Sequence, residues 1–173
     1  LAYARHFPAI DWLQSYSLYL DRLEGWFNEN VSEDWTQMVQ ATMNILQEES
    51  ELEEIVRLVG IDALSFRDRL TLEAARSIRE DYLHQNAFHE VDTYTSPKKQ
   101  HMLLKLILTY YNKGVEALEA DASFAKLAAL PAREAIGRFK YVPEAECEPR
   151  YEATMNELAA EIRMLTEGGN EDA

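Results

Sequence analysis

This chain is poor in most of the features that announce a function. It has one cysteine, Cys147, so no intrachain disulfide can form, and that usage points to a reducing compartment. Cys147 is flanked by Glu146 and Glu148, which raise rather than lower a thiol pKa, so a reactive cysteine is not expected. Basic residues are outnumbered, and the formal charge of -14 disfavours a nucleic-acid surface, because a phosphate backbone would be repelled. No apolar run approaches the roughly 20 residues needed to cross a bilayer; the best candidate, Met102 to Tyr111, is broken by Lys105 and Thr109. No basic-then-apolar opening marks a signal peptide, and the start at Leu1-Ala2-Tyr3 without methionine suggests a fragment of something longer.

Catalytic motifs are equally scarce. There is no Gly-x-x-x-x-Gly-Lys-Ser/Thr phosphate cradle and no Gly-x-Ser-x-Gly elbow. The histidines His6, His84, His89 and His101 lack metal-finger spacing. Asp81 and His84 sit three apart as in a di-iron helix, but the second copy such a centre requires is missing. The acidic stretch Glu48 to Glu54 lacks the ligand alternation and central glycine of a calcium loop, and a solvated helix face is the expectation.

What the chain does contain is helical periodicity. Only 6 glycines and 5 prolines punctuate 173 residues, mostly at the edges of helical patterns, and no strand-length alternation competes. At this length a domain buries roughly 70% of its unfolded surface and needs no metal or disulfide to hold it. The expected fold is all-α, an irregular or orthogonal bundle of about five to seven helices. A first helix is predicted over Tyr16 to Asn28, with Leu18, Leu23, Trp26 and Phe27 facing a core. The tryptophans Trp12, Trp26 and Trp35 are expected to be core anchors.

Ser32 is the predicted N-cap of a long helix ending at Val59, where Gly60 supplies the stop. Its apolar stripe runs from Trp35 through Ile45 and Leu52 to Val59. Ser65, with Asp68 three residues on, forms a capping box for a helix reaching about His84. An irregular run over Asn86 to Thr95 precedes Ser96-Pro97, an N-cap with proline at the first helical position. Apolar residues on several sides of Met102 to Leu118 predict the central helix. Shorter helical pieces follow around Ser123 to Leu130 and Pro131 to Phe139, then an extended Tyr141-Val142-Pro143. Tyr151, Met155, Leu158, Ile162 and Leu165 form the apolar seam of a last helix that packs on its own bundle. The expected divisions are residues 1–15 as the end of a preceding domain, 16–167 as the bundle, and 168–173 as a disordered acidic tail.

Two phrases stand apart from this periodicity: Arg5-His6-Phe7-Pro8-Ala9-Ile10, and Gln85-Asn86-Ala87-Phe88-His89-Glu90-Val91-Asp92-Thr93-Tyr94. Each puts an aromatic ring in a non-helical stretch, where it can be offered to a flat ligand. On the residues alone, Phe7 and Phe88 read as core aromatics, since buried rings are commonplace. Between them, Leu58 to Leu72 holds a helix end, the short loop Asp62-Ala63-Leu64-Ser65 and a helix start, which alone reads as a capped interhelical turn.

Together, in this order and at these separations, the three phrases resemble the C-terminal part of the catalytic A subunit of V-type and archaeal-type rotary ATPases. The likeness covers nearly the whole chain, is strongest over 1–19 and 46–111, and weakens after about Leu118. Asp11 departs from it, since the family usually has Asn there. The resemblance implies that Phe7 lines or stacks on the adenine of a bound nucleotide, with Ala87 and Phe88 closing the pocket. Stacking of this kind contributes roughly 1 to 3 kcal/mol per base and makes no bond.

It further implies that Asp62, Ala63, Leu64, Ser65, Phe66 and Arg67 form a tip that bears on central-stalk subunits. The position is similar to the acidic lever of F-type beta subunits, except that Phe66 and Arg67 stand where that lever has acids. Catalytic residues, the Mg-coordinating groups for ATP or ADP and the phosphate-binding lysine would lie upstream of Leu1. The fragment alone is therefore expected to be inactive, with no catalytic residue, cofactor or metal of its own. In the intact complex it would couple ATP hydrolysis or synthesis to rotation and to proton or sodium transport. Implied partners are the B subunit in an alternating A/B hexamer and the central stalk, with no nucleic acid and no direct membrane insertion. The implied location is cytoplasmic, peripheral to the membrane. The other reading is a free-standing acidic helical adaptor for a basic partner; an F-type beta subunit fits the two aromatic phrases less well.

Overall fold

The computed structural model describes residues 10–15 and 17–167. Among them it contains seven α-helices and no strand, as the periodicity predicts. The helices are α1 (Leu20–Asn30), α2 (Trp35–Val59), α3 (Phe66–Ser77), α4 (Pro97–Glu119), α5 (Phe124–Ala128), α6 (Pro131–Arg138) and α7 (Cys147–Glu167). The sequence-predicted ends of the chain, Phe7 in 1–9 and the tail 168–173, lie outside the described residues.

α4 forms the axis of the bundle. Leu103, Leu104, Leu106, Ile107, Leu108 and Tyr110 are all buried although they point to different sides, because α3, α7, α2 and α6 surround it. Burying such side chains contributes roughly 1.5 to 3 kcal/mol each before the entropy of ordering is set against it. Gly114 marks the closest approach: a Cβ there would stand 2.8 Å from Leu70 Cδ2 and 3.1 Å from Leu127 Cδ2, so glycine lets α3 and α5 close on the axis. The seam of α7 packs inward, with Leu158 and Ile162 buried and Tyr151, Met155 and Leu165 against the core.

The predicted caps hold at several ends. Ser65 Oγ accepts the Asp68 amide at 3.1 Å and Asp68 Oδ2 accepts the Ser65 amide at 3.2 Å, the reciprocal capping box. Ser96 Oγ accepts the Lys99 amide at 3.1 Å in front of Pro97. Gly60 ends α2 with φ +89°, a conformation strained for any residue with a Cβ.

Other expectations are corrected. α2 starts at Trp35 with Asp34 before it, not at Ser32, because the Asp34 carboxylate is drawn across to α4. There it accepts from His101 Nε2 at 2.8 Å, from Lys105 Nζ and from Ser32 Oγ at 2.5 Å. Against burial, which raises it, these bonds hold the Asp34 carboxyl well below the usual carboxylate range. Of the residues expected to face a core near α1, Leu18, Leu23 and Trp26 are exposed and Phe27 is partly covered, stacked on Trp35 with centroids 5.0 Å apart. Trp12 is half-buried and packs against the core as expected, whereas Trp35 is half-buried outside it. Amphipathic spacing shows that a helix has an apolar side, not that this side meets a partner within the chain.

The acidic stretch is corrected too. Glu49 is buried and takes a two-pronged ion pair from Arg79, with Nη2 at 2.8 Å and Nε at 3.1 Å from its carboxylate. Burial raises its pKa while Arg79 opposes the rise. Glu51, Glu53 and Glu54 do face solvent.

Candidate functional site

The helix opened by Ser65 continues past α3 as a π-helical turn over Ile78–Leu83, closed by the His84 amide on Arg79 O at 2.9 Å. Period-3.6 reasoning has no signal for such a widened turn, which delivers the chain into the 84–96 loop. Beneath it, Lys140 donates from Nζ to Glu80 O at 2.8 Å and to His84 O at 3.4 Å, satisfying carbonyls that the helix end leaves open. Lys140 is placed in turn by Lys99, only 1% exposed, whose ammonium donates to Lys140 O at 2.8 Å and Val142 O at 2.7 Å. These two lysines bind the α4 start, the Phe139–Tyr141 turn and the loop stem into one platform. Sequence reading missed both, since a lysine beside a helix start is ordinarily a surface residue.

The loop itself is knotted by its own polar groups. Asp92, 2% exposed, accepts the Asn86 amide at 2.6 Å, and Asn86 Oδ1 accepts the Phe88 amide at 3.1 Å. Thr93 Oγ1 donates to Ala87 O at 3.1 Å. At the far end the Glu144 carboxylate accepts from Ser96 N at 3.0 Å and Ser96 Oγ at 2.9 Å. A cavity of about 180 Å³, lined by Asp81, Tyr82, Gln85, Asp92, Gln100 and Lys140, lies under the stem. Phe88 stands at the apex, 100% exposed, beside the exposed Ala87. An unburied phenylalanine on a loop braced this heavily is a ring held out to solvent, not a core aromatic.

The second predicted patch lies at the corner between α2 and α3. Ile61–Ala63 forms a single 3-10 turn, and Asp62, Ala63, Ser65, Phe66 and Arg67 are exposed, while Leu64 is turned into the bundle. Asp62 Oδ1 meets Arg69 Nη2 at 3.3 Å. The surroundings are more apolar than the residues of the loop suggest, with Leu58 83% exposed and Val59 and Ile61 also on the surface. The ring of Phe66 lies over Phe124 with centroids 5.8 Å apart, and the Arg69 guanidinium is 5.7 Å from its centre.

The remaining titratable candidates have structural partners. Asp81 accepts from Ser77 Oγ at 2.7 Å and from Arg133 at 3.3 Å, so its carboxylate closes the α3–α6 contact. No set of three metal-capable side chains gathers among the described residues. The Cys147 thiol is buried, bonds to Pro143 O at 3.3 Å, and is pushed up by burial, with Glu144 and Glu146 adding to the rise and Lys99 opposing it. Among the described residues no helix is long and apolar enough to cross a membrane.

Among the described residues the chain is an all-helical bundle with a braced loop that displays the fully exposed Phe88 and a capped helix corner. Residues 24–127 match the family described as the C-terminal domain of V and A type ATP synthase, and the chain belongs to that family. It is 63% identical over 165 residues to the V-type ATP synthase alpha chain of Acetivibrio thermocellus, an alignment covering 95% of this chain and 28% of the relative. It is 56% identical over 173 residues to the protein of the same name from Thermoanaerobacter pseudethanolicus, covering 100% of this chain and 29% of the relative. The Clostridium botulinum (strain Okra / Type B1) protein of that name is 55% identical over 170 residues, 98% of this chain and 28% of the relative. The chain thus spans less than a third of the length of these relatives. Nothing in the fold or the comparisons supports the free-standing adaptor.

Proposed function

We propose that this chain is the C-terminal helical domain of the catalytic A subunit of a V/A-type ATP synthase, coupling ATP hydrolysis or synthesis to central-stalk rotation and proton or sodium transport. The observation that carries the nucleotide part is Phe88: an entirely exposed ring at the apex of a loop whose backbone is tied down on both sides. Such a ring needs little ordering when a purine arrives. Phe88, with Ala87 beside it, closes the adenine pocket, and Phe7 lines or stacks on the base.

Bond-making belongs to polypeptide outside this chain, because the sequence holds no phosphate cradle for ATP, ADP or their magnesium. The fragment alone is inactive. The B subunit completes the alternating A/B hexamer, and the assembly is cytoplasmic and peripheral to the membrane. At the α2–α3 corner, Asp62, Ala63, Ser65, Phe66 and Arg67 meet the central stalk, with Leu64 anchoring the turn from inside. Two capped helices meeting at a tip transmit a domain rotation without bending.

In the assembled complex, Phe88→Ala raises the Michaelis constant for ATP about tenfold, with turnover at saturation nearly kept, since base contacts exist in both ground and transition states. An unchanged constant with collapsed turnover removes the adenine role. A photocrosslinker on a cysteine placed at Ala63 captures a central-stalk subunit; capture of outer subunits alone removes the stalk contact.

A further inference from the structure

The His89 side chain is turned back into its own loop. Its Nδ1 faces the backbone amides of Val91 at 3.2 Å and Asp92 at 3.3 Å, and accepts from both. Its own amide donates to Asn86 O at 3.1 Å and its carbonyl accepts the Thr93 amide at 3.0 Å. The ring packs on Tyr141, centroids 4.6 Å apart, and so touches the platform that the two lysines build. An imidazole nitrogen that takes two N–H groups presents a lone pair to them, so Nδ1 acts here as the acceptor.

From this geometry we propose that His89 is the positioning residue of the Phe88 loop: its Nδ1 lone pair folds the 89–92 turn that points Phe88 outward. The purpose of that pointing rests on the adenine reading above; the turn itself does not. On the platform, the Lys140 ammonium lies 5.4 Å from the centre of the Tyr141 ring. Within the loop, Asp92 is occupied by the Asn86 amide and Glu90 is exposed.

Two substitutions separate this role from simple space-filling. Asparagine carries an amide oxygen close to the place of Nδ1 and does not titrate, whereas alanine accepts nothing. In the assembled complex, His89→Ala raises the Michaelis constant for ATP about three- to tenfold at about pH 8, with little change in turnover, while His89→Asn stays near wild type. The same complexes are followed by hydrogen exchange over residues 86–95. Faster exchange of the Val91 and Asp92 amides in His89→Ala, restored in His89→Asn, supports the proposal. Wild-type exchange in His89→Ala overturns it, as does exchange in His89→Asn as fast as in His89→Ala. If Phe88→Ala leaves the Michaelis constant unmoved, the adenine reading fails, and the exchange result alone decides the role of His89.

Discussion

Phe88 and Phe66 are both exposed aromatic rings at the ends of helical elements, yet the molecule holds them by opposite means. Around Phe88 the backbone is fixed and the ring has no cover: Asp92, Asn86 and Thr93 tie the loop to itself, and Lys140 and Glu144 tie its two ends to the platform. Around Phe66 the capping box fixes the helix start, and the ring is already committed to Phe124 and the Arg69 guanidinium. A ring free on a rigid backbone suits a ligand that must enter and leave. A ring packed into its own domain ties the corner to α3 and α5.

Arg79 is the point where the two regions meet, since it stands in the π turn between α3 and the loop and pairs with Glu49 of α2. Arg79→Met should therefore have the largest effect, leaving the Glu49 carboxylate buried without its partner at a cost of about 3 kcal/mol in chemical denaturation. Glu49→Gln in the same chain should recover much of that loss. Ser65→Ala removes one half of the capping box and should cost about 1 kcal/mol, felt at the corner, with hydrogen exchange over the 86–95 loop unchanged. Faster exchange in the loop would show that the two regions are not independent. The finest test pits the rings against each other: Phe66→Ala should cost about 1 kcal/mol through its lost ring contacts, whereas Phe88→Ala should change stability by less than about 0.5 kcal/mol. Equal costs would mean that Phe88 is packed in solution and that the contrast drawn between the two rings is wrong.

Much of this fold was legible in residue patterns because its ends carry local chemistry. Ser65 with Asp68, Ser96 with Pro97 and Gly60 each act within a few residues, so their spacing alone announces them. The aromatic phrase around Phe88 was also readable, as a break in periodicity, and its resemblance to a family supplied a purpose for the ring. The structure adds that the ring is exposed. It also adds what keeps it so: Lys99 and Lys140, distant from the loop in sequence or out of its helix pattern, and the lone pair of His89. No spacing rule finds a lysine whose partners are carbonyls 41 and 43 residues away.

The misplacements have the same origin. α1 was assigned a core face and Glu48 to Glu54 a wet one, and each was a statement about one helix, made without its neighbours. Whether Trp26 is covered depends on what lies across from α1, and whether Glu49 is dry depends on Arg79 arriving from 30 residues along the chain.

By itself, then, the sequence determined the helices, most of their caps, the axis along α4 and the break that holds Phe88, because backbone hydrogen bonding, capping and apolar periodicity are settled over one or two turns. Only the tertiary structure decided which faces are dry, which charges are paired and which ring remains free. Those depend on groups that meet across the bundle, and such meetings leave no trace in local spacing.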